Sequence, residues 1–211
     1  MTPTAPSYED LLAGPVDRAL HEASMHFEEK SAVHETLRKI ARRLDELGIP
    51  YAVAGAMGMF LHGYRRFTED VDILVTAEGL AQLHTELEGR GYLPPFAGSK
   101  NLRDAEHGVR IDFLVAGQFP GDGKPKPVAF PDPGSAHVAR EGIHILPLKE
   151  LIELKLASGM TNAGRLKDLA DVQEMIKSLQ LPADFALQLD PYVRDEFAKL
   201  WQGAQSDDAS H

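Results

Sequence analysis

One stretch constrains this chain more than any other: Tyr51 to Val75, YAVAGAMGMFLHGYRRFTEDVDILV. It opens on a short apolar run, Tyr51 to Ala54, that stops at Gly55. A small-residue segment continues through Met59 and His62 to Gly63. Two arginines, Arg65 and Arg66, precede the alternating run Asp70-Val71-Asp72-Ile73-Leu74-Val75. The pattern predicts strand, tight turn, helix, loop, strand. Gly55 lets the backbone come close to a neighbour at a helix start, where free N–H groups and the helix dipole favour an anion such as phosphate. Asp70 and Asp72 are two apart on a strand, so both carboxylates leave the same face. Side by side they repel unless a cation lies between them. An all-oxygen donor set suits magnesium or manganese bridging to a phosphate.

The rest of the chain is long enough to support such a motif. Its 211 residues can bury a substantial core, and a hydrophobic share of 43% suits a globular protein. No window is apolar enough to span a membrane, and the start MTPTAPSYED lacks the basic-then-apolar pattern of a signal peptide. Cysteine is absent. That fits a cytoplasmic protein and excludes a thiol nucleophile, a disulfide framework and a cysteine-ligated zinc. The net charge of −10 argues against broad, non-specific binding to DNA or RNA, though not against a local basic patch.

Pro, Gly and acidic residues without a clear period make residues 1–25 a loosely ordered lead with one short helix at most. Val33, Leu37, Ile40, Ala41 and Leu44 form the buried stripe of a helix from Phe27 to Leu47, stopped by Gly48 and Pro50. Arg38, Lys39, Arg42 and Arg43 lie mostly off that stripe, as a solvated face or as a patch for RNA or a partner. A helix over Glu78 to Gly91 and a strand over Val109 to Val115 follow. On that strand Ile111, Phe113 and Val115 face one way, and Arg110, Asp112 and Leu114 the other. Gly117 to Ser135 is rich in Gly and Pro and reads as a hairpin excursion or a mobile flap. Ile143 to Leu146 is a further strand. Leu148 to Gly159 and Arg165 to Leu179 are helices, and Ala183 to Trp201 is helical except at Pro191. The expected division is a core over 26–147, a helical region over 148–204 and a disordered tail over 205–211.

Gly55-Ala56, His62-Gly63, Arg66, Thr68, Asp70 and Asp72 stand in that order, followed by Asp112 in VRIDFLV and by LKELIELKLASG and RLKDLADVQEM. Over most of residues 50–176 this series resembles the nucleotidyltransferase superfamily of the DNA polymerase beta type. It is most similar to the AbiEii-like branch, which includes type IV toxin–antitoxin toxins. The resemblance implies an α+β fold, a short mixed sheet flanked by helices with a C-terminal helical part. It implies Asp70, Asp72 and Asp112 as a carboxylate triad for Mg2+ or Mn2+, with Asp112 also helping to deprotonate an acceptor hydroxyl. Two metals about 3.5–4 Å apart stabilise the entering and leaving oxygens of such a transfer.

The resemblance further makes Lys155 a catalytic, phosphate-neutralising lysine, against the plain reading of a lysine snorkelling from an apolar helix face. Gly55, Ala56, Arg66, Thr68, Lys155, Asp168 and Asp171 become the nucleotide-binding set. Arg66 and Thr68 can equally fix the loop, and Asp168 and Asp171, three apart on a helix, can equally form an exposed acidic face. His62 reads as a packed or loop-fixing histidine before a catalyst. Ala56 departs from the Gly or Ser of many active relatives, leaving backbone N–H groups alone to meet a phosphate. The expected reaction is metal-dependent transfer of a nucleotidyl group from an NTP to an RNA (tRNA included) or protein hydroxyl, in a toxin or defence component with an antitoxin or helical partner. The alternative is a non-catalytic or weakly catalytic module that acts by binding a partner, and a metal-dependent nuclease ranks third.

Overall fold

The chain begins with more helix than its composition implies. The structure, a computed structural model, describes residues 6–208. Ser7 caps α1 (Tyr8–Leu12) by accepting the Asp10 N–H, and α2 (Val16–Phe27) starts directly after Pro15. Residues 8–12 and 16–27, within the segment expected to be loosely ordered, are thus helical, and residues 1–5 of that lead lie outside the described part. Tertiary contact explains it: Tyr8 is buried and donates to Glu22, which ties the two helices together. The next helix, α3 (Ala32–Glu46), starts later than its periodicity indicates. Glu29 turns the chain at φ +63, a left-handed conformation that ends α2 before α3 can begin.

The core motif follows in the predicted order: β1 (Tyr51–Val53), α4 (Gly55–Leu61) and β2 (Asp70–Val75). Then come α5 (Ala77–Leu87), β3 (Tyr92–Leu93), β4 (Leu102–Asp104), β5 (Arg110–Val115), β6 (Val138–Arg140) and β7 (Ile143–Ile145). Two helices, α6 (Leu148–Thr161) and α7 (Leu166–Ser178), precede a 3-10 turn at Ala183–Gln188 and α8 (Pro191–Asp208). Pro191 opens that last helix, a position that suits a residue without an N–H. The helix also continues through residues 205–208, which the sequence assigns to a disordered tail; residues 209–211 lie outside the described part.

The seven strands form one mixed sheet in the order β3-β4-β5-β2-β1-β7-β6. β2 lies between antiparallel β1 and parallel β5, and β7 runs parallel to β1 on the other side. Alternation separates two cores. Val71, Ile73, Val75, Ile111 and Phe113 pack with α3 and α5, whereas Ala52, Leu74 and Leu146 pack with α6, α7 and α8. No helix of the described residues is long and apolar enough to cross a membrane.

The loop after β5 is an ordered excursion. Gly117 N–H donates to Phe130 O and Phe130 N–H to Gln118 O, which closes its base like a hairpin. Lys126 clips it from within, donating to Asp122 at 2.6 Å and to Thr161 of α6 at 3.4 Å. Gly121 lies so close to α6 that a Cβ there would meet Thr161 Oγ1 at 2.2 Å.

Candidate active site

The register of the central strands decides where the acidic residues meet. Parallel β2 and β5 set Asp70 opposite Arg110 and Asp72 opposite Asp112. These four side chains share a face with Leu74 and Leu114. Leu74 is fully buried in the core beneath α6, but the charged residues stand at the strand starts, on the floor of a cleft of about 630 Å³. Gly55 and Ala56 line one side, the loop from Arg66 to Glu69 another. Pro120, Gly121 and Phe130 of the long loop form a third wall, and Lys155, Arg165, Lys167 and Asp168 close the cleft from α6 and α7.

Each floor carboxylate has a different environment. Thr68 donates to Asp70 Oδ1 at 2.6 Å, and Arg110 Nη2 donates to Asp70 Oδ2 at 3.0 Å. Arg110 Nε lies 3.1 Å from Asp112 Oδ1, yet that pair is misaligned, and both buried atoms lack a hydrogen bond. The Asp72 carboxylate receives no hydrogen bond or ion pair among the described residues. Burial first, then the Asp70 and Asp112 carboxylates, push it up to about 7. Asp112 is also raised: burial and Asp70 drive it upward against the pull of Arg110. The Asp72 carboxylate rests on Gly55, where a Cβ would fall 1.8 Å from Oδ2 and φ is +55. So the close approach that a glycine here permits is to Asp72. Ala56 is buried in the same turn.

Across the cleft every carboxylate has a cation at hydrogen-bond distance, although Arg66 Nε, 3.0 Å from Asp171 Oδ1, is left without a hydrogen bond. Lys155 Nζ donates to Asp168 Oδ1 at 2.9 Å and to Asp171 Oδ2 at 2.7 Å. Ser158 Oγ and Arg165 Nε donate to Asp168 Oδ2 at 2.7 and 2.9 Å. Arg66 joins from the loop, its Nη2 donating to Asp171 at 3.2 Å and its Nη1 to Phe67 O at 3.2 Å. Burial raises Asp168, but Lys155, Ser158 and Arg165 outweigh it and leave the carboxyl below its ordinary range. Lys155, Asp168 and Asp171 are 8%, 6% and 4% exposed. Two plain readings are thereby corrected: Lys155 does not snorkel to water, and Asp168 and Asp171 are not an exposed acidic face. Asp171 is absent from the cleft lining and instead holds Arg66 and Lys155. His62 donates through Nε2 to Leu146 O at 2.7 Å, the packed, loop-fixing arrangement.

Arg110 is the residue the sequence left without a role, although alternation had already put it on the face of Asp112. Ser158 and Arg165 were missed as well; Ser158 lies one helical step from Lys155. Among the described residues, Asp104, Glu106 and His107 bring ligand atoms within 4.8 Å of one another, a donor set that can hold a metal ion. The three floor carboxylates are not drawn together that closely. At the Asp104 cluster, however, the Lys39 ammonium already lies 2.6 Å from Asp104 and 3.0 Å from Glu106. Buried Asp104 is held below its ordinary range there, Lys39 and His107 overriding the effect of burial.

No protein-family model and no curated protein matches the chain. Solved structures do. The chain is similar to a candidate nucleotidyltransferase from H. pylori at 18% identity and a TM-score of 0.47, covering 82% of this chain and 94% of that one. JHP933 from Helicobacter pylori matches at 15% identity, covering 83% and 91%, with a TM-score of 0.46. ANT(2")-Ia in complex with adenylyl-2"-tobramycin matches at 14% identity, covering 82% and 97%, with a TM-score of 0.48.

Proposed function

We propose that the cleft binds a nucleoside triphosphate and transfers its nucleotidyl group to a hydroxyl acceptor. One observation carries this reading. Register-matched positions of β2 and β5 deliver three carboxylates to the floor of a cleft whose rim bears Arg66, Arg165 and Lys167. Asp70, Asp72 and Asp112 are the residues that would hold Mg2+ or Mn2+. The fit is chemical: the donors are all hard oxygens, and Asp72, pushed up to about 7 with no cation partner, is the group a divalent ion would relieve. When bound, such an ion supplies charge neutralisation to the reacting phosphoryl oxygens and the departing pyrophosphate.

The chain's own residues do the rest. Thr68 fixes the orientation of Asp70, and Gly55 gives Asp72 its place. Arg165, 58% exposed, and Lys167 offer positive charge at the cleft mouth for the triphosphate. Asp112, raised above the usual carboxylate range, is suited to accept the proton of the attacking hydroxyl. Lys155 acts at one remove, since both its acceptors are protein carboxylates; it sets the potential of the cleft and positions α7.

The AbiEii-like branch, an RNA or protein hydroxyl as acceptor, an antitoxin or helical partner and a toxin or defence setting rest on the sequence motifs. A second reading, a partner-binding module with little catalysis, is favoured by the engagement of Lys155 and by Ala56, which brings no hydroxyl to the cleft. The two separate in one assay. Each α-labelled NTP is incubated with Mg2+ or Mn2+ and a pool of bacterial tRNA or co-expressed protein. Wild type should label an acceptor and Asp72→Asn should not. No product with any of the four NTPs would remove the catalytic reading.

A further inference from the structure

Arg110 is the cation nearest the carboxylate floor, and its geometry is asymmetric. It makes one aligned bond, Nη2 to Asp70 at 3.0 Å, and one misaligned contact, Nε to Asp112 at 3.1 Å. Buried Nε and Asp112 Oδ1 are both left without a hydrogen bond, and Asp72 gets nothing from the fork. Arg66 also leaves its Nε without a hydrogen bond, 3.0 Å from Asp171 Oδ1, but its side chain is only 20% exposed, so exposure and not alignment alone sets Arg110 apart. Arg110 is not sealed in: the side chain is 41% exposed, so its head can leave for solvent without opening the core. Lys155 provides the contrast, 8% exposed with both acceptors at hydrogen-bond distance.

We infer that Arg110 is a displaceable counter-cation, which holds Asp70 and Asp112 while no metal is bound and competes with a divalent ion for the same oxygens. This rests on the reading of Asp70, Asp72 and Asp112 as the metal set. It makes Arg110 a positioning residue: it sets the resting charge of the floor and thereby the affinity of the site for metal. Losing the guanidinium removes a competitor and leaves a more negative floor, so both effects tighten metal binding. An arginine that simply braced the strands would do the reverse, because the carboxylates would lose their support.

The test uses Mn2+ alone, without nucleotide, titrated into the full chain and followed through the paramagnetic resonance of the free ion. Arg110→Gln should bind Mn2+ more tightly than wild type, by roughly tenfold, and Arg110→Lys should stay near wild type because it keeps the charge. In chelator, Arg110→Gln should melt below wild type, and Mn2+ should raise its melting temperature by more. Affinity in Arg110→Gln equal to or weaker than wild type, with binding still lost in Asp72→Asn, overturns the inference and leaves the metal site standing. If wild type and Arg110→Gln both bind no Mn2+, or Asp72→Asn binds as wild type does, the metal-site reading fails and this inference with it.

Discussion

Two groups of charge face each other across the cleft, and they are built on opposite terms. On the helical side Lys155, Asp168 and Asp171 are nearly sealed from water, with Arg66, Arg165 and Ser158 completing their hydrogen bonds. On the sheet side Asp70 and Asp112 share one arginine, imperfectly, and the Asp72 carboxylate has no hydrogen bond or ion pair among the described residues. A matched set that is out of water serves the fold, because removing one member strands the others. An unmatched set weakens the fold, and on the proposed reading a bound cation would relieve it. Proximity to the cleft alone would have put both sets in one class.

The sharpest way to break this contrast is Lys155→Met, which keeps the apolar stem and strands two buried carboxylates. It should lower stability by about 3–5 kcal/mol in urea denaturation. An unchanged midpoint would show that the network is ornamental to the fold and return Lys155 to the ligand role.

Acid provides the next test, through a third way of handling a buried charge. His34 packs against His26 and Phe60, its Nε2 without a partner, and burial, helped by His26, Arg38 and Arg65, pushes it down to about 4. Its neighbour His26, lowered for the same first reason, bonds through Nε2 to Arg66 O and so supports the loop leading to Asp70. A histidine held neutral contributes stability above its unfolded pKa near 6.5, and that contribution disappears as pH falls towards the folded value. For His34 this amounts to about 2 kcal/mol between pH 7 and pH 5. Denaturation of wild type and His34→Leu across that range should show a shallower slope in the variant; equal slopes would locate the acid sensitivity elsewhere.

The smallest expected effect has the opposite sign. In metal-free buffer at pH 8, Asp72→Asn should gain about 1 kcal/mol, since it removes one of three like charges without leaving a stranded partner. A loss of stability there would mean that the floor is matched after all, and the contrast with the helical side would be gone.

The sequence exposed these two regions unequally. The strand faces of Asp70, Asp72 and Asp112 were legible because alternation is a local property: period two tells which face each side chain takes, while their grouping as one set came from the resemblance. What alternation cannot provide is register. That Arg110 stands opposite Asp70 follows from the parallel pairing of strands forty residues apart, so the clamp stayed invisible. Likewise the period of α6 showed Lys155 beside Leu151 and Ile152, while the identity of the facing helix, and with it Asp168 and Asp171, depends on how α6 and α7 pack. The short strands β3, β4 and β6 were missed because two or three residues carry no period. Leu102 and Asp104 are strand residues through pairing with neighbouring strands, not through a pattern of their own. The early helices fell to the same cause, Tyr8 and Glu22 joining residues that composition alone treats as solvent-facing.

The parallel pairing of β2 with β5 also has a kinetic consequence. Asp70 and Asp72 are synthesised well before Asp112, with α5, β3 and β4 made in between. A parallel pair closed over that much chain is a non-local contact, and such contacts form slowly. The mutual repulsion of the three carboxylates therefore enters the folding path at a late closure step, after the local helices can already have formed. Like charges that would oppose the first collapse of a chain are in this way kept apart by the order of its own elements, and they meet once the sheet that must hold them is being completed.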